Sequence, residues 1–258
     1  MIVADHLGKD FRDKKRGAVR AVDSVSFRCQ PGRVYGLLGA NGAGKTTTLR
    51  ILATILAPTS GRATVAGYDI QRDAQKVRAS IGFLSTATAL YGRLTAEEMV
   101  EYFGRLYGLG KKVARQRAYL LFQRLDMHEF RERRCETLST GIKQRVSIAR
   151  TLVHDPPVMI FDEPTAGLDV MSARTITGFI RECRERGKTV LFSTHVMSEA
   201  EKLCDTIGII HQGRLKAEGS LAELRERYGQ NDLEEIFLRV VEAEVPGKGS
   251  FGGKEVGS

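Results

Sequence analysis

Residues 39–47 read G-A-N-G-A-G-K-T-T and match the phosphate-binding loop pattern G-x-x-x-x-G-K-[ST] in full. The loop follows an apolar, strand-like run at residues 33–38 and precedes apolar residues at helical spacing over residues 46–57. This context predicts a loop between a buried strand and a helix that binds a nucleoside triphosphate. The alternative is a glycine-rich turn that binds nothing.

The residue types in this loop fit phosphate chemistry. Glycine lets the backbone come close to the phosphates, and the helix N-terminus adds partial positive charge. Lys45 is expected to contact the β- and γ-phosphates, and Thr46 to bind Mg²⁺ through its hydroxyl. The predicted nucleotide-binding residues of the loop are Gly39, Ala40, Asn41, Gly42, Ala43, Gly44, Lys45, Thr46 and Thr47.

A second segment, residues 158–164, reads V-M-I-F-D-E-P and predicts a buried strand that ends in two carboxylates. An open α/β sheet presents its reactive groups at such strand ends. Asp162 is expected to hold Mg²⁺ through water, and Glu163 to act as the general base for the water that attacks the γ-phosphate. Solvent exposure alone is the alternative for an isolated Asp-Glu pair.

Three further segments occur in a fixed order. Residues 138–145 read L-S-T-G-I-K-Q-R and begin a predicted helix, residues 166–169 read A-G-L-D, and residues 193–195 read S-T-H after a strand-like run. Together with the phosphate loop they resemble the ATP-binding subunit of an ABC transporter, because L-S-T-G-I is similar to that family's L-S-G-G-Q signature. The resemblance covers residues 1–241, and the order and separation of its motifs are highly specific.

This resemblance implies the fold and the assembly. The implied fold is a P-loop NTPase of ABC ATPase type, an α/β structure with a RecA-like core sheet, an antiparallel β edge and a helical insert subdomain. The implied assembly is a head-to-tail homodimer with two ATP molecules between the subunits. The signature residues, which would bind the γ-phosphate held by the other subunit, are Leu138, Ser139, Thr140 and Gly141. Ser139 is predicted to cap the helix, and an ordinary helix start is the alternative for this segment taken alone.

The resemblance also implies roles for three single residues. His195 would contact the γ-phosphate and orient the attacking water, although an isolated histidine is more often a polar surface or core residue. Asp169 would link the two nucleotide sites across the dimer. Phe11 would stack on adenine, and its alternative is a core or edge phenylalanine. The choice between ATP and GTP stays open at the sequence level.

Three positions depart from the family pattern. Thr86 stands where the family has a glutamine, so it is a further candidate Mg²⁺ ligand beside Thr46 and Asp162, and water could fill the gap instead. Thr140 replaces a glycine and Ile142 replaces a glutamine of the signature, which leaves the helix N-terminus intact. Residues 138–170 are similar to ATPase subunits of ABC-2 type exporters, especially bacterial sodium-extrusion systems, which implies export of sodium or another small solute.

Composition agrees with an ATPase subunit on the cytoplasmic side of the cell membrane, peripheral to a separate integral membrane permease. No apolar run approaches the ~20 residues of a membrane helix, and the first residues lack the layout of a signal peptide. The four cysteines show no C-x-x-C spacing, so a reduced compartment and no cysteine metal site are expected. The net charge of +9 is dispersed along the chain, which favours solvated surface near anionic lipid over a specific nucleic-acid partner.

The chain is organised as one ABC ATPase domain over residues 1–245, with a helical insert at about 87–155 and a disordered glycine-rich tail at 246–258. Strands are predicted near residues 2–6, 24–29, 33–38, 80–84, 157–162, 189–193 and 206–211. Helices are predicted near residues 46–57, 172–186, 197–204, 221–228 and 233–238, with helical periodicity dominating residues 95–153. Ser220 with Glu223 predicts a capping box.

Two other function classes remain open. A soluble ABC-type ATPase acting on nucleic acid shares these motifs, but such proteins carry a long coiled coil between loop and signature, where this chain shows no sustained heptads. A nucleotide-binding regulator without turnover is disfavoured because Glu163 and His195 are both present.

Overall fold

The computed structural model describes residues 1–13, 17–85 and 89–242 of the 258-residue chain. Its strands are β1 (Ile2–Asp13), β2 (Gly17–Cys29), β3 (Val34–Leu38), β4 (Ser60–Val65), β5 (Tyr68–Asp69), β6 (Ile81–Ser85), β7 (Val158–Asp162), β8 (Thr189–Thr194), β9 (Thr206–His211) and β10 (Arg214–Gly219). Its α-helices are α1 (Lys45–Leu52), α2 (Ala74–Ser80), α3 (Ala96–Leu106), α4 (Lys111–Arg124), α5 (Thr140–Leu152), α6 (Val170–Glu185), α7 (Met197–Leu203), α8 (Leu221–Tyr228) and α9 (Leu233–Glu242).

The larger sheet has the strand order β10-β9-β3-β8-β7-β6. Its strands β9, β3, β8, β7 and β6 pair in parallel, and β10 pairs antiparallel to β9 at one edge. Every residue of β3, β7 and β8 is buried, as expected for parallel strands that are covered on both faces. The register places Leu38 opposite Thr194 and Asp162 opposite Ser193, so the carboxyl ends of these three strands meet at one edge of the sheet.

The smaller sheet is antiparallel, with the order β2-β1-β4-β5. Its inner face shares one hydrophobic cluster with α1 and the larger sheet, and this cluster includes Leu7, Val25, Ile51, Leu37 and Ile160. Helix α1 is therefore held between the two sheets, and its N-terminus is fixed at the edge where β3 ends.

Helices α3, α4 and α5 lie between β6 and β7 along the chain. Their apolar side chains, among them Met99, Phe122 and Ile148, share a second cluster with Phe161 of β7 and Phe179 of α6. A third cluster packs α7, α8 and α9 against β9. The limits proposed for the helical insert, 87 and 155, stay a prediction. Among the described residues no helix has the length and apolar character to span a bilayer.

Several element boundaries differ from the sequence predictions. Helix α1 ends at Leu52 rather than near residue 57, because Thr54 has a φ of +60° and Pro58 follows shortly after. The first two strands are longer than predicted, since each pairs along its length with the other. Strands β4 and β5 and helix α2 were not predicted. The proposed tail at 246–258 lies outside the described residues.

Candidate active site

The phosphate loop connects β3 to α1 at the edge where β3, β7 and β8 end. Gly44, the residue before α1, has a φ of +105°, and a Cβ there would lie 2.5 Å from the carbonyl oxygen of Ala21. A Cβ on Gly39 would lie 2.5 Å from the carbonyl oxygen of Ile210. Neither position has room for a side chain, so the two glycines let the loop pass close to its neighbours. Gly44 has no side chain that could cap the helix, so it leaves the first N–H groups of α1 without a hydrogen bond from an N-cap side chain.

Lys45 is the first residue of α1 and is buried, with 4% of its surface exposed. Its Nζ donates hydrogen bonds to the carbonyl oxygens of Gly39 at 2.7 Å and Ala40 at 3.1 Å. The same Nζ lies 3.0 Å from Oε1 of Glu163. A buried ammonium requires such partners, so the loop and Glu163 together hold this charge in place.

Asp162, Thr46 and Ser193 form a polar cluster beside Lys45. The Thr46 hydroxyl donates to Oδ1 of Asp162 at 3.1 Å, and the Ser193 hydroxyl donates to the same oxygen at 2.8 Å. Asp162 is buried. These two hydrogen bonds join the start of α1 to the carboxyl ends of β7 and β8 through one carboxylate.

Glu163 has an unusual backbone conformation, with a φ of +48°. Its N–H lies 3.2 Å from the carbonyl oxygen and 3.1 Å from the hydroxyl oxygen of Ser193, both of which can accept from it. Non-glycine residues rarely adopt the left-handed region, and those that do are concentrated at functional sites. The β7-β8 pairing therefore continues one residue past the strand and turns the Glu163 side chain into the site.

The Glu163 carboxylate lies between two nitrogen groups. Oε1 contacts Lys45, and Oε2 lies 3.2 Å from Nδ1 of His195. Burial opposes ionisation of Glu163, but the hydrogen bond and charge of Lys45, helped by His195, outweigh it and hold the pKa of this carboxyl below its ordinary value. His195 is 43% exposed on its side chain, so the site opens to solvent on the histidine side.

Two residues that the sequence analysis missed support this site. Glu199 of α7 accepts hydrogen bonds from the hydroxyls of Thr165, at 2.6 Å, and Thr194, at 2.8 Å. Gln144 of α5 donates from Nε2 to the carbonyl oxygen of Pro164 at 2.9 Å. Both bind the segment that follows Glu163. The sequence around Glu199 and Gln144 did not predict these contacts, because only the folded chain brings the two residues to that segment.

The signature segment lies at the start of α5. Ser139 caps the helix, and its hydroxyl accepts from the Ile142 N–H at 3.4 Å, which confirms the predicted cap. Leu138 is buried, whereas Ser139 and Thr140 are exposed. A Cβ on Gly141 would collide with the hydroxyl of Ser172 on α6. The N-termini of α5 and α6 are therefore in close contact.

Asp169 caps α6. Its Oδ1 accepts from the N–H groups of Met171 and Ser172, both at 3.0 Å, and its Oδ2 accepts from the Ser172 hydroxyl at 2.7 Å. These hydrogen bonds, those of Ser172 before all others, lower the pKa of the Asp169 carboxyl. Within one chain, Asp169 therefore lies beside the signature segment, and the hydrogen bonds of its side chain are made with residues of α6.

Phe11, the predicted adenine contact, belongs to the smaller sheet. Phe11 lies on β1 opposite Val19, with 39% of its surface exposed and the Lys9 ammonium 5.3 Å from its ring centroid. Ala21, whose carbonyl oxygen lies against Gly44, is two residues beyond Val19 on β2. The exposed ring is on the strand pair that borders the loop. Thr86 lies outside the described residues.

Comparison with known proteins finds relatives whose similarity covers most of this chain. A family model described as ABC transporter matches residues 22–166. The ABC transporter ATP-binding protein NatA of Bacillus subtilis is 43% identical over 239 residues, which cover 92% of this chain and 97% of NatA. Nod factor export ATP-binding protein I of Paraburkholderia xenovorans is 40% identical over 224 residues, covering 87% of this chain and 74% of that protein.

A solved structure extends the likeness to the fold. It is a dimeric ATP-binding cassette in a post-hydrolysis state with bound ADP and Pi, and it aligns with a TM-score of 0.78 at 26% identity, covering 85% of this chain and 98% of that chain. The predicted P-loop NTPase fold of ABC type is thereby confirmed. The alternative of a soluble ATPase acting on nucleic acid finds no support in these comparisons.

Proposed function

This chain belongs to the ABC transporter family as an ATP-binding, ATP-hydrolysing subunit of the exporter class, and we propose that Glu163 and His195 carry its catalytic step. The observation that carries this proposal is the line of contacts from Lys45 through Glu163 to His195, at 3.0 and 3.2 Å. It joins a phosphate-binding lysine, a carboxylate base and a histidine at the ends of three neighbouring strands.

The loop at residues 39–47 is suited to the triphosphate of ATP. Lys45 Nζ already rests on carbonyl oxygens of its own loop, and the uncapped first turn of α1 offers N–H donors to an anion. We assign Lys45 to the β- and γ-phosphates and the exposed Phe11 ring to the adenine.

Thr46 and Asp162 would hold Mg²⁺. Their oxygens lie 3.1 Å apart, and hydroxyl and carboxylate oxygens are the ligands that Mg²⁺ prefers. No group of three or more His, Cys, Asp or Glu side chains is arranged for a metal in the described part of the chain. Two protein ligands suit a cation that is completed by phosphates and water. When bound, Mg²⁺ would neutralise charge on the β- and γ-phosphates.

The hydrolytic step follows from the placement of Glu163. A water oxygen forms a bond to the γ-phosphorus, the bond from that phosphorus to the bridging oxygen breaks, and the water proton passes to Glu163. Lys45 contacts both Glu163 and the loop, so its transfer to the phosphates would remove the larger of the two contacts that lower the Glu163 pKa. Glu163 would then become a stronger base when ATP binds. His195 would position the water and the γ-phosphate.

A homodimer would complete the site. Ser139 and Thr140 are exposed, and a Cβ on Gly141 would lie 3.7 Å from Oδ2 of Asp169, which suits contact of this segment with the nucleotide of a second subunit. Val170 and Met171, directly after Asp169, are 83% and 67% exposed. Exposed apolar side chains beside a helix N-terminus favour an interface. The solved cassette to which this chain is similar is dimeric, which supports a dimer here.

The membrane partner would be a separate permease, with this subunit at the cytoplasmic face. A groove of about 230 Å³ lies between the segment after α1 and the elements α2, β6, α3 and α5. It is lined by Ile55, Phe83, Phe103 and Tyr107 among others, which suits an apolar segment of that partner. We propose export of a small solute, with sodium as the first to test, and no specific nucleic-acid partner. Co-purification from detergent-solubilised membranes tests the permease; recovery of the chain without any integral membrane protein would contradict it.

Replacement of Glu163 by Gln tests the catalytic proposal. The amide keeps the shape of the side chain but cannot accept the proton, so turnover should fall by at least ~10²-fold while ATP still binds. ATP should then trap a dimer that size-exclusion chromatography detects. Glu185→Gln, at the far end of α6, is the matched control and should leave turnover unchanged. Near wild-type turnover of Glu163→Gln would show that Glu163 is not the base.

A further inference from the structure

We propose that Glu199 is a positioning residue that holds the backbone segments bearing Glu163 and His195 in register. Its two carboxylate oxygens accept from Thr165 and Thr194, one on each segment, at 2.6 and 2.8 Å. Both distances are short, as expected where a hydroxyl donates to a carboxylate. Glu199 is partly buried, so water competes less for these bonds than at an open surface.

The first arm of this link reaches the Glu163 segment. Thr165 lies in the turn that follows Glu163, and this turn is closed by the Ala166 N–H, which donates to the Glu163 carbonyl oxygen at 3.1 Å. The Leu168 N–H donates in turn to the Thr165 carbonyl oxygen at 3.2 Å. A displacement of Thr165 therefore moves the peptide unit that carries Glu163, whose φ of +48° depends on its surroundings.

The second arm reaches His195. Thr194 is the residue before His195, and its hydroxyl donates to Glu199 while it accepts from the Val196 N–H at 2.9 Å. The two neighbours of His195 in the chain are therefore both held, Thr194 by Glu199 and Val196 by Thr194. Helix α7, which carries Glu199, begins directly afterwards at Met197. The β7-β8 pairing ends with Asp162 opposite Ser193, so beyond Glu163 the carboxylate joins the two segments, while Thr194 itself pairs with Leu38 of β3.

This inference rests on the proposed catalytic roles of Glu163 and His195. A shift of reacting groups by about 1 Å can cost a hundredfold in rate, whereas nucleotide binding through the phosphate loop does not pass through Glu199. Glu199→Ala should therefore lower kcat by about tenfold or more, with the KM for ATP within about twofold. Glu199→Gln should stay within about threefold of wild type, because its amide can accept from one hydroxyl and donate to the other.

The controls separate a positioning role from loss of folded protein. Rates are divided by the number of sites that bind a fluorescent ATP analogue, so an unfolded fraction does not count. Glu201→Ala, on the same helix, removes a carboxylate that contacts Arg225 at 3.4 Å and should leave kcat unchanged. In a His195→Ala background the added effect of Glu199→Ala should be smaller than in wild type, since only the Glu163 arm is left to position.

Three results would overturn the inference. They are equal fold losses for Glu199→Ala with and without His195, a Gln variant as slow as the Ala variant, and a kcat of Glu199→Ala equal to that of Glu201→Ala. If Glu199→Ala binds no analogue, Thr165→Val is tested instead, because it removes only the hydrogen bond of the first arm. A kcat of Thr165→Val within twofold of wild type would then reject the link. Glu163→Gln assayed in parallel distinguishes this failure from that of the proposed function, which fails only if that variant stays active.

Discussion

Glu163 shows how a single residue is held in a conformation that its own preferences oppose. A left-handed backbone costs a non-glycine residue about 1–2 kcal/mol. The N–H contacts to Ser193, the ion pair with Lys45 at 3.0 Å and the turn closed by Ala166 offset that cost. The side chain is therefore fixed by its neighbours before ATP arrives, which is the arrangement that a general base requires.

His154 provides a pH-dependent prediction at the same scale. Its Nε2 lies 3.1 Å from the Ile81 carbonyl oxygen, and its ring stacks on Tyr107 with centroids 3.6 Å apart. Burial is the main cause that lowers its pKa from 6.5 to about 4. Between these two values the unfolded chain binds a proton that the folded chain does not. The free energy of unfolding should therefore fall as the pH is lowered from 6.5 to 4.

After allowance for partial solvent exposure, this histidine should account for about 1–2 kcal/mol of that loss. Urea denaturation at pH 7.5 and pH 5 measures it. His154→Gln should lose less stability between the two pH values than wild type, whatever its stability at pH 7.5. His128→Gln, which alters an exposed histidine of the same region, is the control. A wild-type pH dependence in His154→Gln would contradict the prediction.

Between elements, the contact of α5 with α6 depends on the absence of one side chain. A Cβ on Gly141 would collide with the Ser172 hydroxyl but would lie 3.4 Å from the Ser172 Cβ, an ordinary contact. Gly141→Ala should therefore push the N-termini of α5 and α6 apart and lower the free energy of unfolding by about 1–3 kcal/mol.

Ser172→Ala in the same chain should recover most of that loss, because the colliding atom is gone. The comparison must include Ser172→Ala alone, since it removes the hydrogen bond to Asp169 at 2.7 Å. Calorimetry of the four proteins measures the coupling between the two sites. Additive effects would show that Gly141 is required for another reason.

The elements that sequence predicts well are those with local signals. The caps at Ser139 and Ser220 and the strand at residues 158–162 depend on neighbours within a few positions, and each is found where it was expected. Strand β4 was missed because its pairing partner, β1, lies almost sixty positions earlier. The loop residues and Glu163 could be predicted from motifs, whereas Glu199 could not, because both of its partners are reached only through the fold.

For the whole molecule, the exposed pair Val170 and Met171 predicts how two subunits meet. Met171→Asp should place a charge in the proposed interface and abolish the ATP-trapped dimer of Glu163→Gln, because an unpaired carboxylate would be desolvated there. ATP binding to the single chain should persist. Val113→Asp alters another exposed apolar residue, 45% exposed on α4, and should leave the dimer intact. A dimer that survives Met171→Asp would place the interface elsewhere.

The register of β7 and β8 has a consequence for how such a chain can change. Both strands are buried on both faces, and Asp162 lies opposite Ser193, so Glu163 and His195 follow at adjacent ends. A slip of one residue would exchange the faces of a strand, and the next allowed slip would move it by about 7 Å. The spacing of base and histidine therefore changes in discrete jumps rather than by gradual drift. Insertions in the connection between β6 and β7, which carries α3, α4 and α5 beside the proposed permease groove, can accumulate to suit new membrane partners while the distance between base and histidine is kept.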